Sequence, residues 1–578
     1  MFVKLVLGSA LAYVFWSLWC MEVNARKARA LKVPFVRLPV DVTNVFWLVL
    51  QRHVWAVVDR LPFQWSAYPD FVRFSRRDWQ FREKSDPAVR LGAVWALVTP
   101  VTIYLRFTDP EAIKEIFARP SEFIRPVKEY KLLEVYGPCI STAGWDDWPR
   151  HRKILAAPFN ESIMKSVWGE SLHQTKSMVQ YWTGKSAGIP SVQKDMRTLT
   201  LNVLAATTFN QPYEFHGSAE AQDEAGSYRD TLQAIMTGAI LMMLIPYRFL
   251  QAPLPENFVR IGNAARSFRR HMLEMLDSEI KALQENRPGS GGMMTAFVRA
   301  LDVHDKEADN APDVKVVRSG QRKKGLSVDE ILGNLFIINF AGYDTSASTL
   351  VFTLHLLAVH PEVQVWLAEE IAALAASAGK SIEEWDYRLL FPQLKRCRAV
   401  LLETLRLYPS IVGLPKWTGT KPQTLDIGHR TLAIPSGAYA FPHIIAIHTH
   451  PQYWDEPHSW RPSRWICSSP HVATGKSDSP VSGGKSAGRE ELWEPAPNTY
   501  FPWSDGPQSC PGKKFVQVEV VAILACLFKS HRLSVKKNPG ESEEAARARV
   551  ISCVNEVNME VILRMKDADR VKLLCTEA

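Results

Sequence analysis

The sequence feature that most constrains the fold is a cysteine loop followed at once by an apolar run, over residues 501–528. Cys510 lies between Gly506 and Gly512, and prolines on both sides of it stiffen the backbone. Residues 513–528 are apolar on nearly every side, which predicts a fully buried helix. Cys510 would then lie just before a helix N-terminus, where backbone amides and the helix dipole favour the thiolate over the thiol.

A thiolate in this position is suited to bind a metal or to act as a nucleophile. The alternative is that Cys510 is only a small residue in a tight turn before a core helix. A buried helix also needs other elements around it. The chain has 578 residues, of which 46% are hydrophobic, so it can bury a large core as one big domain or two ordinary ones.

Charge and cysteine usage limit the classes of function. The net charge of +9 forms no patterned basic stripe, which argues against nucleic-acid binding. A docking face for an acidic protein partner, or a merely solvated surface, would account for this charge. The 8 cysteines include no CxxC pair and no zinc-type spacing, which favours a reducing compartment.

The N-terminus carries an almost uninterrupted apolar segment, Leu5 to Met21, which at about 1.5 Å per residue just reaches across a hydrocarbon core. The basic residues between Arg26 and Arg37 outweigh Lys4, so the positive-inside rule puts the body of the protein in the cytosol. We therefore predict a single-pass membrane anchor at residues 1–25. A cleaved signal peptide is the alternative, because residues 23–25 resemble a cleavage site.

Residues 26–60 are basic and contain two prolines, Pro34 and Pro39, which would break the chain as a hinge between anchor and body. A second apolar segment, Val45 to Val58, is interrupted by polar residues at 51–53. This pattern favours a surface-lying, possible membrane-associated helix or a core helix over a second span.

The remaining residues, 61–578, are assigned to one globular body. Polar insertions at 284–292, 304–325 and 468–490 predict exposed loops. Alternating apolar residues near 534–535 and 557–563 predict a small terminal sheet.

A long helix is predicted to begin after Ser327, which has the spacing of a capping box with Glu330. The following run is apolar enough to suggest a membrane span. Asn334, Asn339 and Asp344 would make a span costly, so we interpret the run as a soluble helix through the middle of the protein.

Within this helix, the segment AGYDTS is a candidate site. A glycine in a helix interior costs about 1 kcal/mol relative to alanine, so the space beside Ala341 and Gly342 must serve a purpose. Thr345 can bend the backbone hydrogen-bond ladder, and Asp344 can relay protons. The alternative is a polar kink that neighbouring helices satisfy.

Two further pairs have helical spacing. Trp148 and Arg152 are four residues apart and would place an aromatic plane beside a guanidinium, although a surface cation–aromatic pair would have the same spacing. Glu403 and Arg406 are three residues apart between apolar residues, which predicts a buried ion pair that needs further partners.

Together these segments resemble the cytochrome P450 superfamily in its fungal, membrane-anchored form. Trp503, Gly506, Cys510 and Gly512 are similar to its haem-binding loop, and AGYDTS is similar to its oxygen-activation motif. The remaining matches are the Trp148–Arg152 helix, the Glu403–Arg406 signature with Pro462, Arg464 and Trp465 of WRPSRW, and the segment IVGLPK at 411–416.

The resemblance implies a mainly α fold with small β-sheets, the cytochrome P450 fold, preceded by an N-terminal transmembrane helix. Residues 61–578 would form the haem-thiolate catalytic domain. Cys510 would be the iron ligand and Asp344 and Thr345 the catalytic residues. The further residues expected to bind heme b (iron protoporphyrin IX) are Trp148, Arg152, Trp503 and Lys416.

Two positions depart from the pattern of the family. Gln508 stands where the family usually has arginine, and Lys416 also replaces an arginine. A propionate contact from residue 508 is therefore in doubt, and one from Lys416 would be less specific in geometry. We expect Arg152 to carry more of the charge neutralisation.

The implied function is that of a haem-thiolate monooxygenase, which inserts one atom of O2 into a hydrophobic small molecule, in secondary metabolite biosynthesis. The apolar residues expected to line its pocket are Phe336, Ile337, Phe340, Ile411, Val412 and Leu414. The alternatives are a haem-thiolate isomerase or dehydratase that needs no reductase, and a haem-binding sensor without turnover.

The sequence contains no GxGxxG segment between a strand and a helix and no cluster of cysteines for an iron–sulfur centre. Electrons would therefore come from outside the chain, and the resemblance implies that the donor is a separate, membrane-bound NADPH-cytochrome P450 reductase. The expected location is the endoplasmic reticulum membrane, with a single span and a cytosolic catalytic domain. The basic residues that could form the docking face are Lys513, Lys514, Lys529 and Arg532.

Overall fold

The structure is a computed structural model that describes residues 2–218, 228–238, 241–242, 245–251, 253–287, 289, 292–301, 325–378, 381–468, 490–559 and 561–578. Most of the three predicted polar insertions lies outside these ranges. Within them the fold is mainly helical with small β-sheets, as predicted.

The α-helices are numbered in chain order. They are α1 (Phe2–Ala30), α2 (Val45–Val58), α3 (Asp70–Arg73), α4 (Trp79–Glu83), α5 (Asp86–Leu91), α6 (Pro110–Ala118), α7 (Val127–Tyr130), α8 (Trp148–Ala156), α9 (Glu161–Thr183), α10 (Val192–Phe209), α11 (Tyr228–Thr237), α12 (Glu256–Gln284), α13 (Met293–Arg299), α14 (Val328–Val359), α15 (Pro361–Ala378), α16 (Tyr387–Leu390), α17 (Lys395–Leu407), α18 (Ile444–His448), α19 (Lys513–Ser530) and α20 (Glu543–Asn555). Short 3-10 helices cover Trp65–Ala67, Lys131–Leu133, Tyr247–Phe249, Ile382–Glu384, Pro462–Trp465 and Ala568–Arg570.

The strands are short. They are β1 (Phe35–Arg37), β2 (Val94–Val98), β3 (Ile103–Phe107), β4 (Lys416–Trp417), β5 (Gln423–Ile427), β6 (Arg430–Ile434), β7 (Tyr439–Pro442), β8 (Ile466–Ser468), β9 (Glu490–Leu492), β10 (His531–Val535), β11 (Val557–Met559), β12 (Leu563–Met565) and β13 (Leu573–Glu577).

The largest sheet has five strands in the order β1-β2-β3-β7-β4. β1 with β2 and β3 with β7 are parallel pairs, whereas β2 with β3 and β4 with β7 are antiparallel. β4 is held in the sheet by β7, with Lys416 opposite Ala440. The sheet thereby fixes the position of Lys416, one of the predicted site residues.

Two long helices form the centre of the protein. α19 is buried from Val518 to Phe528 and packs on α9, α15 and α17, which confirms the predicted buried helix after Cys510. α14 begins with the predicted capping box: the Glu330 amide donates to Ser327 Oγ at 3.3 Å, and the Ser327 amide donates to Glu330 Oε2 at 2.8 Å. α14 packs against α10 and α17, so it is surrounded by protein.

The segment after the apolar N-terminus is part of the globular body. α1 continues past the predicted boundary at residue 25, and Asn24 Nδ2 donates to the Thr99 carbonyl at 3.0 Å. Ala28 is fully buried against the five-stranded sheet, and residues 35–37 form the edge strand β1. Strand pairing with β2 places residues 35–37 in the sheet, and the hinge predicted for residues 26–60 stays a prediction.

In the part of the chain that the structure describes, no single helix is both long and apolar enough to cross a membrane. Among the described residues, one pair of helices is long and apolar enough when taken together: α14 and Pro361–Ala376, which meet at a bend of 106°. α14 is buried inside the protein.

α2 lies on the surface, which agrees with the first of the two predictions for residues 45–58, a surface-lying helix. Its ends expose Phe46 (79%) and Val57 (61%), while Trp55 and Gln51 are buried against the body. The terminal strands differ from the prediction of one small sheet. They form two separate two-stranded sheets, β10 with β13 and β11 with β12, because Leu573–Glu577 supplies a partner that the alternation pattern did not indicate.

Candidate active site

The cysteine loop is a tight turn anchored to the helix that follows it. The Cys510 amide donates to the Trp503 carbonyl at 2.8 Å. Gly506 has a φ of +66°, and a Cβ there would lie 2.7 Å from the carbonyl oxygen of Phe117, so this position requires glycine. Gly512 is the N-cap of α19. Cys510 therefore lies two residues before the N-cap of α19, just before the helix N-terminus as predicted.

The thiol of Cys510 keeps an exposed surface although protein surrounds it on its other sides. Desolvation raises the pKa of this thiol above its ordinary value. The amides of Gly512 and Lys513 and the charge of Arg152 lower it, but burial has the larger effect. The helix N-terminus alone therefore does not make the thiolate the favoured form, and a bound metal ion would have to do so.

Three cationic side chains meet at the two residues before the cysteine. Arg152 Nη1 donates to the Ser509 carbonyl at 2.9 Å, and Arg125 Nη2 donates to the Gln508 carbonyl at 3.4 Å. Lys416 Nζ donates to Gln508 Oε1 at 2.7 Å. Among the residues that the structure describes, none of the three cations has a carboxylate partner.

The crowding of these cations changes their ionisation. Burial lowers the pKa of Lys416 to about 7, and the charge of Arg125 adds to this effect. Burial also lowers the pKa of Arg125 and of Arg152. A site with this much positive charge and no acid is suited to bind an anionic ligand, such as the two propionates of haem.

Trp148 supplies a further donor. It is the first residue of α8, is 6% exposed and stacks on Trp145 with ring centroids 5.6 Å apart. Its buried Nε1 has no hydrogen-bond partner in the described part of the chain. A buried, unpaired N–H one helical turn from Arg152 fits a carboxylate ligand, so the residues present fit haem.

Trp503 contributes through its backbone as well as its ring. Its carbonyl accepts from Cys510, and its partly buried ring lies 5.6 Å from Lys513 Nζ. Arg125 was missed in the sequence. Its only signal is an arginine before a proline, directly after the apolar pair Phe123 and Ile124, which is too common a pattern to single it out.

One short stretch of the central helix α14 is accessible. Every residue from Glu330 to Val359 is buried except Phe340, Ala341, Gly342 and Thr345. Thr345 Oγ1 donates to the carbonyl of Ala341 at 2.8 Å, an i to i−4 bond of the kind that loosens a helix. Ala341 and Thr345 therefore form an accessible polar face in the middle of a buried helix.

Gly342 has a different role from the predicted groove. A Cβ at this position would lie 3.1 Å from Leu204, so the glycine allows α14 to approach α10 closely. Only Ala341 is fully exposed in this stretch. The groove is therefore formed by Ala341, and Gly342 serves helix packing.

Asp344 is held between two arginines. Arg197 Nε of α10 donates to its Oδ1 at 3.1 Å, and Arg564 Nη2 of β12 donates to its Oδ2. The carboxylate is buried, whereas Arg197 is 36% and Arg564 25% exposed. A cavity of about 10 Å³, large enough for one water, adjoins all three side chains.

A second carboxyl near this helix was not identified in the sequence. Glu519 of α19 is 1% exposed, and burial raises its pKa to about 8, an effect that the neighbouring Ser346 opposes only in part. Neither carboxylate oxygen of Glu519 has a hydrogen-bond partner in the described part of the chain. Ser346 follows Thr345 and donates to the Gly342 carbonyl at 3.3 Å. The signal in the sequence is a single acid inside the otherwise apolar run 515–528.

The predicted ion-pair triad is present and buried. Glu403 and Arg406 are both 0% exposed and joined by bonds of 2.8 and 2.9 Å, and Arg464 Nε donates to Glu403 Oε1 at 3.0 Å. Trp465 Nε1 also donates to Glu403. The triad ties α17 to the WRPSRW segment and is structural, as predicted.

The six residues predicted to line an apolar pocket lie in different packing environments. Phe336 stacks with Phe340 and contacts Tyr136 inside the main core. Leu414 packs in the separate core around the five-stranded sheet. Ile411, by contrast, is 37% exposed. The apolar character of these residues is confirmed, but their common pocket stays a prediction.

Three features of the described residues, in a mainly helical fold, define the class of haem-thiolate proteins. They are an exposed cysteine, three cations without a carboxylate partner among the described residues, and a buried indole N–H without a hydrogen-bond partner. The sequence comparison agrees. The family described as Cytochrome P450 matches residues 88–554, and the chain belongs to this family. The family implies a haem cofactor, and the chain is an enzyme of its oxygen-incorporating oxidoreductase class.

Individual relatives support the same family. A cytochrome P450 monooxygenase of Arthrobotrys oligospora is 29% identical over 99% of this chain and 98% of the relative. The phomenoic acid biosynthesis cluster cytochrome P450 monooxygenase of Leptosphaeria maculans is 26% identical over 94% of each chain. The crystal structure of a cytochrome P450, CYP102L1, has a TM-score of 0.62 at 18% identity and covers 86% of this chain and 97% of its own.

Proposed function

We propose that this haem-thiolate monooxygenase inserts one atom of O2 into a hydrophobic small molecule of secondary metabolism. The observation that carries the proposal is the convergence of Arg125, Arg152 and Lys416 on the two residues before Cys510, where none of the described residues supplies a carboxylate partner. The relative from Leptosphaeria maculans, named for a biosynthetic cluster, supports the assignment to secondary metabolism. The substrate itself is not specified by relatives of this low identity.

Haem held by a thiolate supplies the activation of O2 and its insertion into a substrate bond. The residues that would hold it are Cys510 through its sulfur, Trp148 through Nε1, and the three cations through their donors. Trp503 would support the loop at the base of the site. These donors would neutralise the two propionates with hydrogen bonds assisted by charge.

Proton supply is the second task of the protein. Thr345 would hold a proton at Oγ1 on the accessible face of α14, where its present acceptor is the Ala341 carbonyl. Asp344 would receive protons from solvent beside Arg197 and Arg564, both of which are partly exposed. Release of one guanidinium would free a carboxylate oxygen for this relay.

A spectral experiment tests the thiolate. The carbon monoxide difference spectrum of the dithionite-reduced full-length protein should show the long-wavelength Soret band typical of the family. Cys510→Ser should lose this band, while Cys467→Ser, which changes an exposed cysteine of β8, should keep it. A folded wild-type protein without the band would contradict the proposal.

A second experiment tests Thr345. Thr345→Ala should consume NADPH with more hydrogen peroxide and less product per NADPH than the wild type. Thr353→Ala is the matched control, since Thr353 Oγ1 makes the same i to i−4 bond, at 2.8 Å to Thr349, but is fully buried. Equal peroxide yields from both variants would contradict the role of Thr345.

The alternatives make different predictions for the same preparation. An isomerase or dehydratase would convert its substrate without NADPH, and a sensor would change its spectrum on binding a ligand without forming product. The exposed Ala341–Thr345 face favours the monooxygenase, because neither alternative needs protons delivered there.

We further propose that electrons come from NADPH through a separate reductase. Lys513 lies over the ring of Trp503 at 5.6 Å, and Lys529 lies over Trp385 at 5.1 Å. Replacing both lysines by glutamate should lower reductase-supported turnover and leave the Cys510 spectrum intact. The control is Lys421→Glu, at an exposed position before β5, which should change neither the turnover nor the spectrum. Unchanged turnover in the double variant would rule out this docking face.

Membrane attachment is the remaining part of the proposal. It is supported by the apolar segment 5–21 and by the exposed apolar ends of α2, and the proposed location is the endoplasmic reticulum membrane with a cytosolic catalytic domain. Flotation with phosphatidylcholine vesicles should retain the full chain. Phe46→Asp combined with Val57→Asp should reduce binding of a chain that lacks residues 1–25, and equal flotation of both shortened chains would exclude a contribution from α2.

A further inference from the structure

The side chain of Gln508 has one specific contact in the haem loop. The bonds from Arg125 and Arg152 end on the backbone oxygens of Gln508 and Ser509, which any residue would provide. The bond from Lys416 Nζ ends on Gln508 Oε1, at 2.7 Å. The identity of residue 508 therefore matters to Lys416 and not to the two arginines.

The two partners of this bond are both buried. Lys416 is 4% exposed and Gln508 is 8% exposed. An ammonium group has three donors and no acceptor, so the amide of Gln508 must turn its oxygen toward Lys416. A buried ammonium is costly unless such acceptors fix it, and Gln508 is the residue that aims Lys416 within the site.

Gln508 supplies no positive charge of its own. The cations that contact the two residues before Cys510 are Lys416, Arg125 and Arg152. The haem propionates would therefore be neutralised by these three cations.

We propose that Gln508 is a positioning residue that acts through Lys416, so that the two form one coupled unit and the haem carboxylates are bound by three cations rather than four. This inference rests on the proposed function, since it concerns how the same site holds haem. The effect of Gln508 on haem would be exerted through the direction of Lys416 Nζ, which Gln508 Oε1 fixes.

The test measures haem retention and reduction potential in the full-length holoenzyme. Haem dissociation is followed by transfer to excess apomyoglobin, and the potential by spectroelectrochemistry. Gln508→Ala should speed haem dissociation by about 2- to 10-fold, the effect of one lost hydrogen bond. It should lower the potential in the same direction as Lys416→Ala, while the long-wavelength carbon monoxide band stays.

Two double variants test the coupling. Gln508→Ala added to Lys416→Ala should cause no further increase in haem dissociation, because Gln508 would have nothing left to position. The exchanged pair, Lys416→Gln with Gln508→Lys, should restore dissociation to within about 2-fold of the wild type.

Gln364→Ala is the control for general destabilisation. Gln364 is a buried glutamine that donates to the Leu357 and Leu533 carbonyls, so its loss should lower stability without moving the reduction potential. Multiplicative effects of Gln508→Ala and Lys416→Ala on haem dissociation would overturn the inference. Absence of the thiolate band in the wild type would instead overturn the proposed function.

Discussion

Replacing Glu519 by glutamine should make the stability of the protein less dependent on pH. The carboxyl of Glu519 is 1% exposed, and burial raises its pKa from 4.5 to about 8 in the folded chain. Between these two values the unfolded chain loses the proton while the folded chain keeps it. The stability of the wild type should therefore fall as the pH rises through this window and level off above about pH 8.

The size of the effect follows from the two pKa values. The stability lost through Glu519 is roughly 1 kcal/mol near pH 5, roughly 3 kcal/mol near pH 7 and roughly 4 kcal/mol near pH 8. Glutamine cannot ionise and keeps the shape of the side chain. The difference in unfolding free energy between Glu519→Gln and the wild type should grow by roughly 3 kcal/mol from pH 5 to pH 8.

The assay is urea-induced unfolding of the holoenzyme at several pH values, followed by far-UV circular dichroism. Glu494→Gln changes an exposed glutamate and should follow the wild-type dependence on pH. Parallel curves for wild type and Glu519→Gln would refute the reasoning, because they would show that Glu519 ionises alike in the folded and unfolded chains.

Two further predictions concern packing. Glu403→Gln should lower the unfolding free energy by about 3–5 kcal/mol, because Arg406 and Arg464 would stay buried without their charge partner, and the midpoint of urea unfolding measures this loss. Gly333→Ala should cost about 1–3 kcal/mol, since its Cβ would lie 2.3 Å from the carbonyl oxygen of Gly137. Gly169→Ala on α9 should instead raise stability by up to about 1 kcal/mol, because a Cβ there meets nothing within 4 Å. Equal effects on stability at the two glycines would contradict the packing argument.

Much of the helical framework could be predicted because its signals are local. The capping box at Ser327, the apolar run after Lys513 and the proline at 361 define helix starts through bonds and contacts within a few residues. The Glu403–Arg406 pair was also predictable, since residues three apart share a helix face.

The short strands were harder to predict. β1 has three residues and lies between two prolines, and β13 has no clear alternation, so neither carries a periodic signal. Both become strands because a partner elsewhere in the chain pairs with them, β2 in one case and β10 in the other. Such pairing is decided by the whole fold and not by the segment.

The sequence by itself predicted the cysteine, its helix and most residues of the candidate site, because each of these is marked by a pattern within one segment, whereas Arg125 and Glu519 are not. The tertiary structure alone decided how they combine: which cations reach the carbonyls before Cys510, that Gln508 pairs with Lys416, and that two arginines hold Asp344. These partners are separated by about a hundred residues or more along the chain. Hydrogen bonds and ion pairs between such distant residues depend on how helices and sheets pack, and no local pattern records that packing.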